Sequence, residues 1–226
     1  MDKVSIVIPV YNQLRMTLSC LSDVLLTTYP NKEVILVNDG SQEPIAKVVD
    51  KLFPDVIVIS NDANMGFARS CNAGIRKATG DLICLLNNDT RLPNSKWLSL
   101  MVDSMAQYDL TSPAGGRLDE RFNYMPGEVK NSKDKFSYLA GWAELIKREV
   151  FDTIGLVPEC FGKGFWEDVL FGYRAKKAGY RAGITEGTKI EHAYHTTFKA
   201  EGYDVTKLYQ QNRQVFLDIA RSEGLR

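Results

Sequence analysis

An α/β architecture, with a Rossmann-like and mostly parallel sheet flanked by helices, is what this sequence predicts. Three observations carry that expectation. Short apolar runs rich in β-branched residues are continuous rather than alternating, as in strands buried on both faces of a parallel sheet. The segments between them repeat apolar residues at helical spacing, and each run stops at a cluster of Asn, Asp and Gly. Four strand–helix pairs in roughly the first 110 residues favour right-handed crossovers over hairpins.

Ser5-Ile6-Val7-Ile8-Pro9-Val10 forms the first central strand, and Leu14, Leu18, Leu21 and Leu25 then recur at helical spacing until Tyr29-Pro30-Asn31 stops the helix. Val34-Ile35-Leu36-Val37 is the second strand, ended by Asn38-Asp39-Gly40-Ser41, and Ile45, Val48, Val49 and Leu52 mark the next helix. Val56-Ile57-Val58-Ile59 is the third strand. Phe67, Cys71, Ile75 and Ala78 share one face of a third helix, which Gly80 closes as a C-terminal cap. Leu82-Ile83-Cys84-Leu85-Leu86 supplies the fourth strand, with Trp97, Met101, Met105 and Tyr108 along a fourth helix.

From Pro113 to Lys135 the pattern gives way to Gly, Pro, Asn and mixed charge, which predicts a long functional or mobile loop that orders on binding. Beyond it, Phe136 to Ile146 and Gly183 to Ile190 read as strands, and Glu167 to Ala178 and Val205 to Ala220 as helices. Leu208, Val215, Phe216 and Ile219 give the last helix an apolar stripe suited to packing on the domain or a partner rather than to lying on a membrane.

At 226 residues, 44% of them hydrophobic, the chain has material for one large core, and its composition lacks the low hydrophobicity and high net charge that mark a disordered chain. Lys and Arg together number 28 and balance 28 Asp and Glu, so no global field draws a polyanion and general nucleic-acid binding is disfavoured. The four cysteines, Cys20, Cys71, Cys84 and Cys160, lack close pairs and read as reduced thiols. Neither a signal peptide nor a transmembrane segment is legible, so a cytoplasmic location is expected, with peripheral membrane contact compatible with it.

In open α/β sheets ligands bind beyond the carboxyl ends of the strands. Tyr11-Asn12, Asn38-Asp39-Gly40-Ser41, Asn61-Asp62 with Asn64, and Asn87-Asn88-Asp89 follow the four strands in turn, so one rim gathers short polar side chains around a nucleotide-sized space. Any one cluster equally serves as a strand terminator or helix cap; the alignment of four points to a site.

Together, Val4 to Asn12, Val37-Asn38-Asp39-Gly40-Ser41, Asn64-Met65-Gly66-Phe67-Ala68 with Asn72 and Gly74, and Leu85-Leu86-Asn87-Asn88-Asp89-Thr90 resemble the inverting family-two glycosyltransferases of GT-A fold. Leu139-Ala140-Gly141, Lys147 to Phe151, Gly155, Glu167-Asp168 and His192 extend the resemblance in order and rough spacing across residues 4 to 198. The Leu-Asn-Asn-Asp form is similar to that of rhamnosyl- and galactofuranosyl-type members. The resemblance implies a single GT-A domain over 1–226: a nucleotide-sugar-binding half at 1–112, an acceptor and catalytic half at 113–198, and a C-terminal helix at 199–226.

It also implies roles. Asp89 and His192 are the expected ligands of a divalent metal, Mn²⁺ or Mg²⁺, that neutralises the departing diphosphate. The family's acidic motif commonly has two aspartates separated by one residue; here Asn87 takes the first place, which weakens the site. His195 lies three residues beyond His192 and is a candidate diphosphate contact. Asp39 is expected to accept the imide N–H of uracil or thymine in a UDP- or dTDP-linked donor, with Tyr11 flanking the ring, Asn12 in the same nucleotide-sugar site, Pro9 shaping the backbone and Gly66 permitting close approach. Arg69 and Asn88 complete the donor site. Asp168 is expected to be the base that deprotonates the acceptor hydroxyl, and Trp142, Trp166 and Glu167 to contact the acceptor, a glycan or lipid-linked molecule.

Leu170 stands where the family often has a further acid, which suggests a different acceptor. The competing functions are a nucleotidyltransferase acting on a sugar phosphate, disfavoured by the lack of a glycine-rich basic opening loop; a noncatalytic glycan-binding relative; and a glycosidase, which would not need the nucleotide rim.

Overall fold

The computed structural model describes residues 1–193 and 196–225. A seven-stranded sheet forms the centre. Its first half follows the expected alternation: β1 (Val4–Val10), α1 (Leu14–Leu25), β2 (Lys32–Asp39), α2 (Ile45–Leu52), β3 (Ile57–Asn61), α3 (Phe67–Lys77) and β4 (Leu82–Leu86). Short β5 (Thr90–Arg91), α4 (Trp97–Ser104) and β6 (Leu110–Ser112) lead to β7 (Gly115–Leu118), β8 (Tyr124–Val129), β9 (Tyr138–Leu139) and β10 (Ala143–Lys147). The chain closes through α5 (Arg148–Ile154), α6 (Glu167–Lys177), β11 (Ala182–Ile184), β12 (Glu191–His192), α7 (Thr196–Ala200) and α8 (Val205–Glu223).

Strand order is β11-β6-β10-β4-β1-β2-β3. β1 pairs in parallel with both β2 and β4, and β2 with β3, whereas β10 runs antiparallel to β4 and β6. The order reverses between β1 and β4, so the chain ends leaving these two strands diverge and open a crevice there. β1 is buried at all seven positions, which explains its unbroken apolar run.

One core lies under α1, α2 and α4, around Ile6, Ile8, Leu21, Leu36 and Trp97. The other lies under α3, α5 and α6, around Val7, Ile35, Ile75 and Phe171. Truncating a fully buried aliphatic such as Leu36 to Ala costs roughly 2–5 kcal/mol at sites of this kind. Gly74 lets α3 approach β1: a Cβ there would lie 2.3 Å from Val7 Cγ1. A third cluster joins Phe161, Trp166 and Leu170 to Phe216 and Ala220 of α8, so the apolar stripe of the last helix packs on the domain.

Four expectations require correction. Gly80 does not cap α3, which ends at Lys77 with Ala78 already extended; Gly80 instead lies close against Lys3 and Ser5. The segment from Pro113 to Lys135 is a β7–β8 hairpin rather than an irregular loop: Asp119 accepts the backbone N–H groups of Arg121 and Asn123, each at 2.8 Å, and so forms the turn locally. Phe136 to Ile146 is two strands, because the chain changes sheets at Ala140-Gly141; β9 pairs with β7, and β10 enters the central sheet. Gly183 to Ile190 keeps only the strand Ala182–Ile184. Cys20, Cys71, Cys84 and Cys160 are free thiols, and among the described residues no helix is long and apolar enough to cross a membrane.

Two carboxylates tie neighbouring segments together at the ends of the strands. Burial pushes the Glu33 carboxyl up, but Lys3 and hydrogen bonds from Ser5 and Thr79 outweigh it and hold it at about 2. Burial also opposes ionisation of Asp109, which Lys147 and Arg181 bring to about 2. Both folded values lie below the unfolded ones, so this stabilisation is present above pH ~4.5 and is lost as pH falls toward 2. Glu33→Gln is expected to lower stability by roughly 1–2 kcal/mol at pH 7 and to flatten the decline in melting temperature between pH 5 and 2. Thermal melts across that range check it.

Candidate functional site

A cavity of about 550 Å³ opens over the crevice between β1 and β4, bounded by the strand ends, the β7–β8 hairpin, the start of α6 and the segment leading into α8. Eleven of the thirteen expected site residues that lie among the described ones border it: Pro9, Tyr11, Asp39, Gly66, Asn88, Asp89, together with Trp142, Trp166, Glu167, Asp168 and His192. Asn12 and Arg69 do not.

At one end, Asp39 terminates β2 and is 4% exposed. Its Oδ1 accepts from Asn61 Nδ2 at 2.8 Å and the Met65 N–H at 2.9 Å; its Oδ2 accepts from the Gly66 N–H at 2.9 Å. Gly66 adopts φ +93°, and a Cβ there would lie 2.2 Å from the Gly162 carbonyl oxygen. The expected close approach at Gly66 is therefore to the chain itself, and it brings the segment before α6 against the end of β3. Asn12, with φ 55°, stitches loops instead of facing the cavity: Oδ1 accepts from the Gln42 N–H at 2.9 Å, and Nδ2 donates to Glu201 at 2.9 Å. Arg69 is drawn outward by Glu159, with Nε 3.3 Å from Oε2.

In the middle, β5 and β12 pair antiparallel and set His192 opposite Thr90. His192 Nε2 lies 3.0 Å from Asp89 Oδ1 and 3.3 Å from Asn87 Nδ2. The Trp142 ring stacks on the imidazole, with centroids 5.1 Å apart and planes 15° from parallel. Trp142 therefore orients His192, a role the sequence did not predict for it. Asn88 turns away to donate to Thr17 Oγ1 at 3.0 Å. His195 lies outside the described residues.

A buried oxygen without a hydrogen-bond partner, Asn87 Oδ1, stands beside Asp89 and His192. Among the described residues no three His, Cys, Asp or Glu side chains gather for a metal, since the third place is held by this amide. Carboxylate, imidazole and amide oxygen nevertheless suit a divalent ion that completes its shell with phosphate oxygens. The charge balance agrees: five carboxyl groups border the cavity, on Asp39, Asp89, Glu128, Glu167 and Asp168, against one lysine, Lys163, and the acids still outnumber it when Glu167 is held toward its protonated form.

At the far end, Phe165 and Trp166 both take positive φ, 74° and 79°. Such residues cost about 1–3 kcal/mol each and persist only where packing holds them. Trp166 supplies that packing. It is 2% exposed, lies against Phe216 and Tyr209 with centroids 4.9 and 5.1 Å away, and donates Nε1–H to the Tyr209 carbonyl at 3.2 Å. It is thus a wedge beneath the site more than a sugar platform, and it projects Glu167-Asp168 into the cavity at the start of α6.

Asp168 Oδ2 accepts the Gly141 N–H at 3.2 Å, and Oδ1 accepts the Val169 N–H at 2.8 Å. A Cβ on Gly141 would sit 2.9 Å from Asp168 Cβ, so the glycine makes this approach possible. Burial pushes the Asp168 carboxyl above the usual range, against those two hydrogen bonds. Burial and then the charge of Asp168 push Glu167 up as well, and its buried Oε2 has no hydrogen-bond partner. Glu144, on β10, is raised by the same two causes in the same order.

Several lining residues escaped the sequence. Tyr124, 46% exposed, sits in a stretch without helical or strand periodicity of its own, Tyr138 in a predicted strand just ahead of the Leu139-Ala140-Gly141 motif, and Tyr209 beyond the motif-bearing region. Tyr124 and Tyr209 meet edge to face at 6.2 Å and form an aromatic wall near Asp168. Lys163 carried one signal: it is the only basic residue in the Gly162-Lys163-Gly164 stretch.

Residues 5–157 match the family model described as Glycosyl transferase family 2. Glycosyltransferase AglE of Haloferax volcanii is 28% identical over 192 residues, which cover 78% of this chain and 62% of that protein. A mannosyltransferase, PcManGT from Pyrobaculum calidifontis, solved with GDP-Man and Mn²⁺, superposes with a TM-score of 0.66 at 19% identity, over 87% of this chain and 59% of that one. GalNAc-T7, solved with UDP, GalNAc and Mn²⁺, gives a TM-score of 0.73 at 18% identity, over 85% and 44%. The chain therefore spans less than two thirds of each of these proteins. The structural likeness establishes the GT-A fold.

The amide at position 87 makes the metal-type cluster directly testable. Asn87→Asp is expected to tighten Mn²⁺ binding roughly tenfold, and Asp89→Asn to weaken it by at least as much. Calorimetric Mn²⁺ titration in the presence of a nucleoside diphosphate measures both; unchanged affinity in the two variants removes the cluster from metal binding.

Proposed function

The chain belongs to glycosyl transferase family 2, and from that membership and the cavity's geometry we propose that it transfers a sugar, with inversion, from a nucleoside-diphosphate donor to a hydroxyl group of a glycan or lipid-linked acceptor. One observation carries the reading: Asp39, the cluster of Asn87, Asp89 and His192, and Asp168 all open onto one cavity although they come from distant parts of the chain. Uridine or deoxythymidine is the proposed base. The motif Asn87-Asn88-Asp89 is the ground for a rhamnosyl- or galactofuranosyl-type sugar. Residues 1–112 supply most donor contacts and 113–198 the catalytic side, while the segment 199–226 lends Tyr203 and Tyr209 to the cavity wall.

Asp39 accepts the base N–H while Tyr11 and Pro9 bound the ring. Asp89 and His192 would hold a divalent ion, which when bound neutralises the leaving diphosphate. Trp142 keeps the imidazole in place for that contact. Asp168 accepts the proton of the acceptor hydroxyl as its oxygen bonds to the anomeric carbon and the bond from that carbon to the diphosphate oxygen breaks; one displacement inverts the configuration. The N–H groups of Gly141 and Val169 keep the Asp168 carboxyl aimed. Glu167, held toward its protonated form, adds no second negative charge there. Tyr124 and Tyr209 offer ring faces to the C–H face of an acceptor sugar.

Incubation with a panel of nucleotide sugars and a hydroxyl acceptor tests the proposal, through release of nucleoside diphosphate and the anomeric configuration of the product. Pyrophosphate release would identify a nucleotidyltransferase, and donor binding without turnover on any acceptor a noncatalytic relative. Asp168→Asn is expected to leave donor binding intact and lower kcat roughly 100- to 10,000-fold. Because burial raises the Asp168 carboxyl and the base acts only when ionised, kcat/KM should climb with pH, with its acidic limb above the ordinary aspartate range. Tyr124→Ala should raise acceptor KM roughly three- to tenfold and leave donor KM unchanged, which steady-state kinetics with each substrate varied in turn will read.

A further inference from the structure

Lys163 is the single lysine or arginine among the described residues bordering the cavity, and it forms no ion pair there. Its ammonium donates to two neutral oxygens of one residue, the Asn64 carbonyl at 2.7 Å and Asn64 Oδ1 at 2.8 Å. An ammonium has three N–H donors, so one remains. Asn64 Oδ1 also accepts the Gly66 N–H at 3.1 Å, and that same N–H reaches Asp39 Oδ2 at 2.9 Å. Lys163 and Asp39 are therefore fastened to the same Asn64-Met65-Gly66 turn and separated by it. Two carboxylate oxygens offer about four acceptor positions, of which Asp39 uses three. The turn thus carries one unused donor, on Lys163, and one unused acceptor, on Asp39.

We propose that Lys163 donates to the carbonyl oxygen of the donor's nucleobase, next to the ring N–H accepted by Asp39, and so restricts the donor to bases that carry C=O adjacent to N–H. Uracil, thymine and guanine present that edge. Cytosine and adenine present an amino donor beside an unprotonated ring nitrogen, which would set donor against donor at Lys163 and acceptor against acceptor at Asp39. The ammonium belongs to the base end of the cavity because its anchors are those of Asp39; the diphosphate end is marked by Asn87, Asp89 and His192. This inference rests on the glycosyltransfer reading and names the nucleotide class it uses.

Calorimetric titration of the full chain with UDP, dTDP, GDP, CDP and ADP in Mn²⁺ is the test. At least one of UDP, dTDP and GDP is expected to bind roughly tenfold or more tightly than CDP and ADP, since a hydrogen bond to a charged group is at stake. Lys163→Met should erase roughly that factor while barely changing CDP affinity, and Lys163→Arg should retain part of the preference. Equal weakening of UDP and CDP in Lys163→Met would assign the ammonium to the phosphates and overturn the proposal. So would a native protein that binds all five alike, a result that needs no variant. Failure of every nucleotide to bind would instead overturn the glycosyltransfer reading, and this inference with it.

Discussion

The bond from which the site is assembled is that of the Asp39 carboxylate to the N–H groups of Met65 and Gly66. It fixes the turn after β3 against the end of β2, and the turn in turn receives the segment 162–166, because Gly66 has no Cβ to meet the Gly162 carbonyl. An alanine at Gly66 would separate the two halves of the chain at the point where the cavity requires contact. Asn64 strengthens the junction by accepting from Lys163, so a charged side chain of the second half is anchored on the first. The placing of Glu167 and Asp168 over the cavity therefore depends on a backbone contact several residues away from them.

Charge then decides what the cavity can hold. Carboxylates outnumber ammonium groups along its wall, and a diphosphate entering such a space would be repelled unless a cation accompanied it. The acids are handled differently along its length. Asp39 spends its oxygens on backbone N–H groups, Asp89 sits against an imidazole, and Asp168 is desolvated yet held by two N–H donors. Burial raises Glu167 beside it, so the adjacent acids do not meet as two full negative charges. The backbone strain at Phe165 and Trp166 is the means by which that acid pair reaches the cavity, and it is borne by the aromatic packing of α8 on Trp166.

Much of this was legible along the chain. Continuous apolar runs identified the buried strands because parallel strands covered on both faces have no polar side. Asn38-Asp39-Gly40 and Asn87-Asn88-Asp89 marked strand ends that face the crevice, and Glu167-Asp168 marked the start of a helix. Local signals failed where a partner distant in sequence decides the outcome. Arg69 lies in a favourable stretch of α3, but Glu159 draws it outward. Trp142 and Trp166 are expected from the sequence to contact the acceptor; in the structure one stacks on His192 and the other is a buried wedge, since the bulk of an indole is most readily spent on packing. The β7–β8 hairpin escaped because its order comes from an Asp turn and from pairing with Tyr138-Leu139, neither of which has a periodic signature.

The sequence by itself determined the alternation of strands and helices, the rim of polar residues at strand ends and the family, because all three are written in local spacing. Only the tertiary structure decided which of those residues share one cavity, which carboxyls are desolvated and which side chains are consumed in holding loops together. Those properties arise from contacts between residues far apart in the chain, such as Gly66 with Gly162 or Asn12 with Glu201, whose geometry no local pattern encodes.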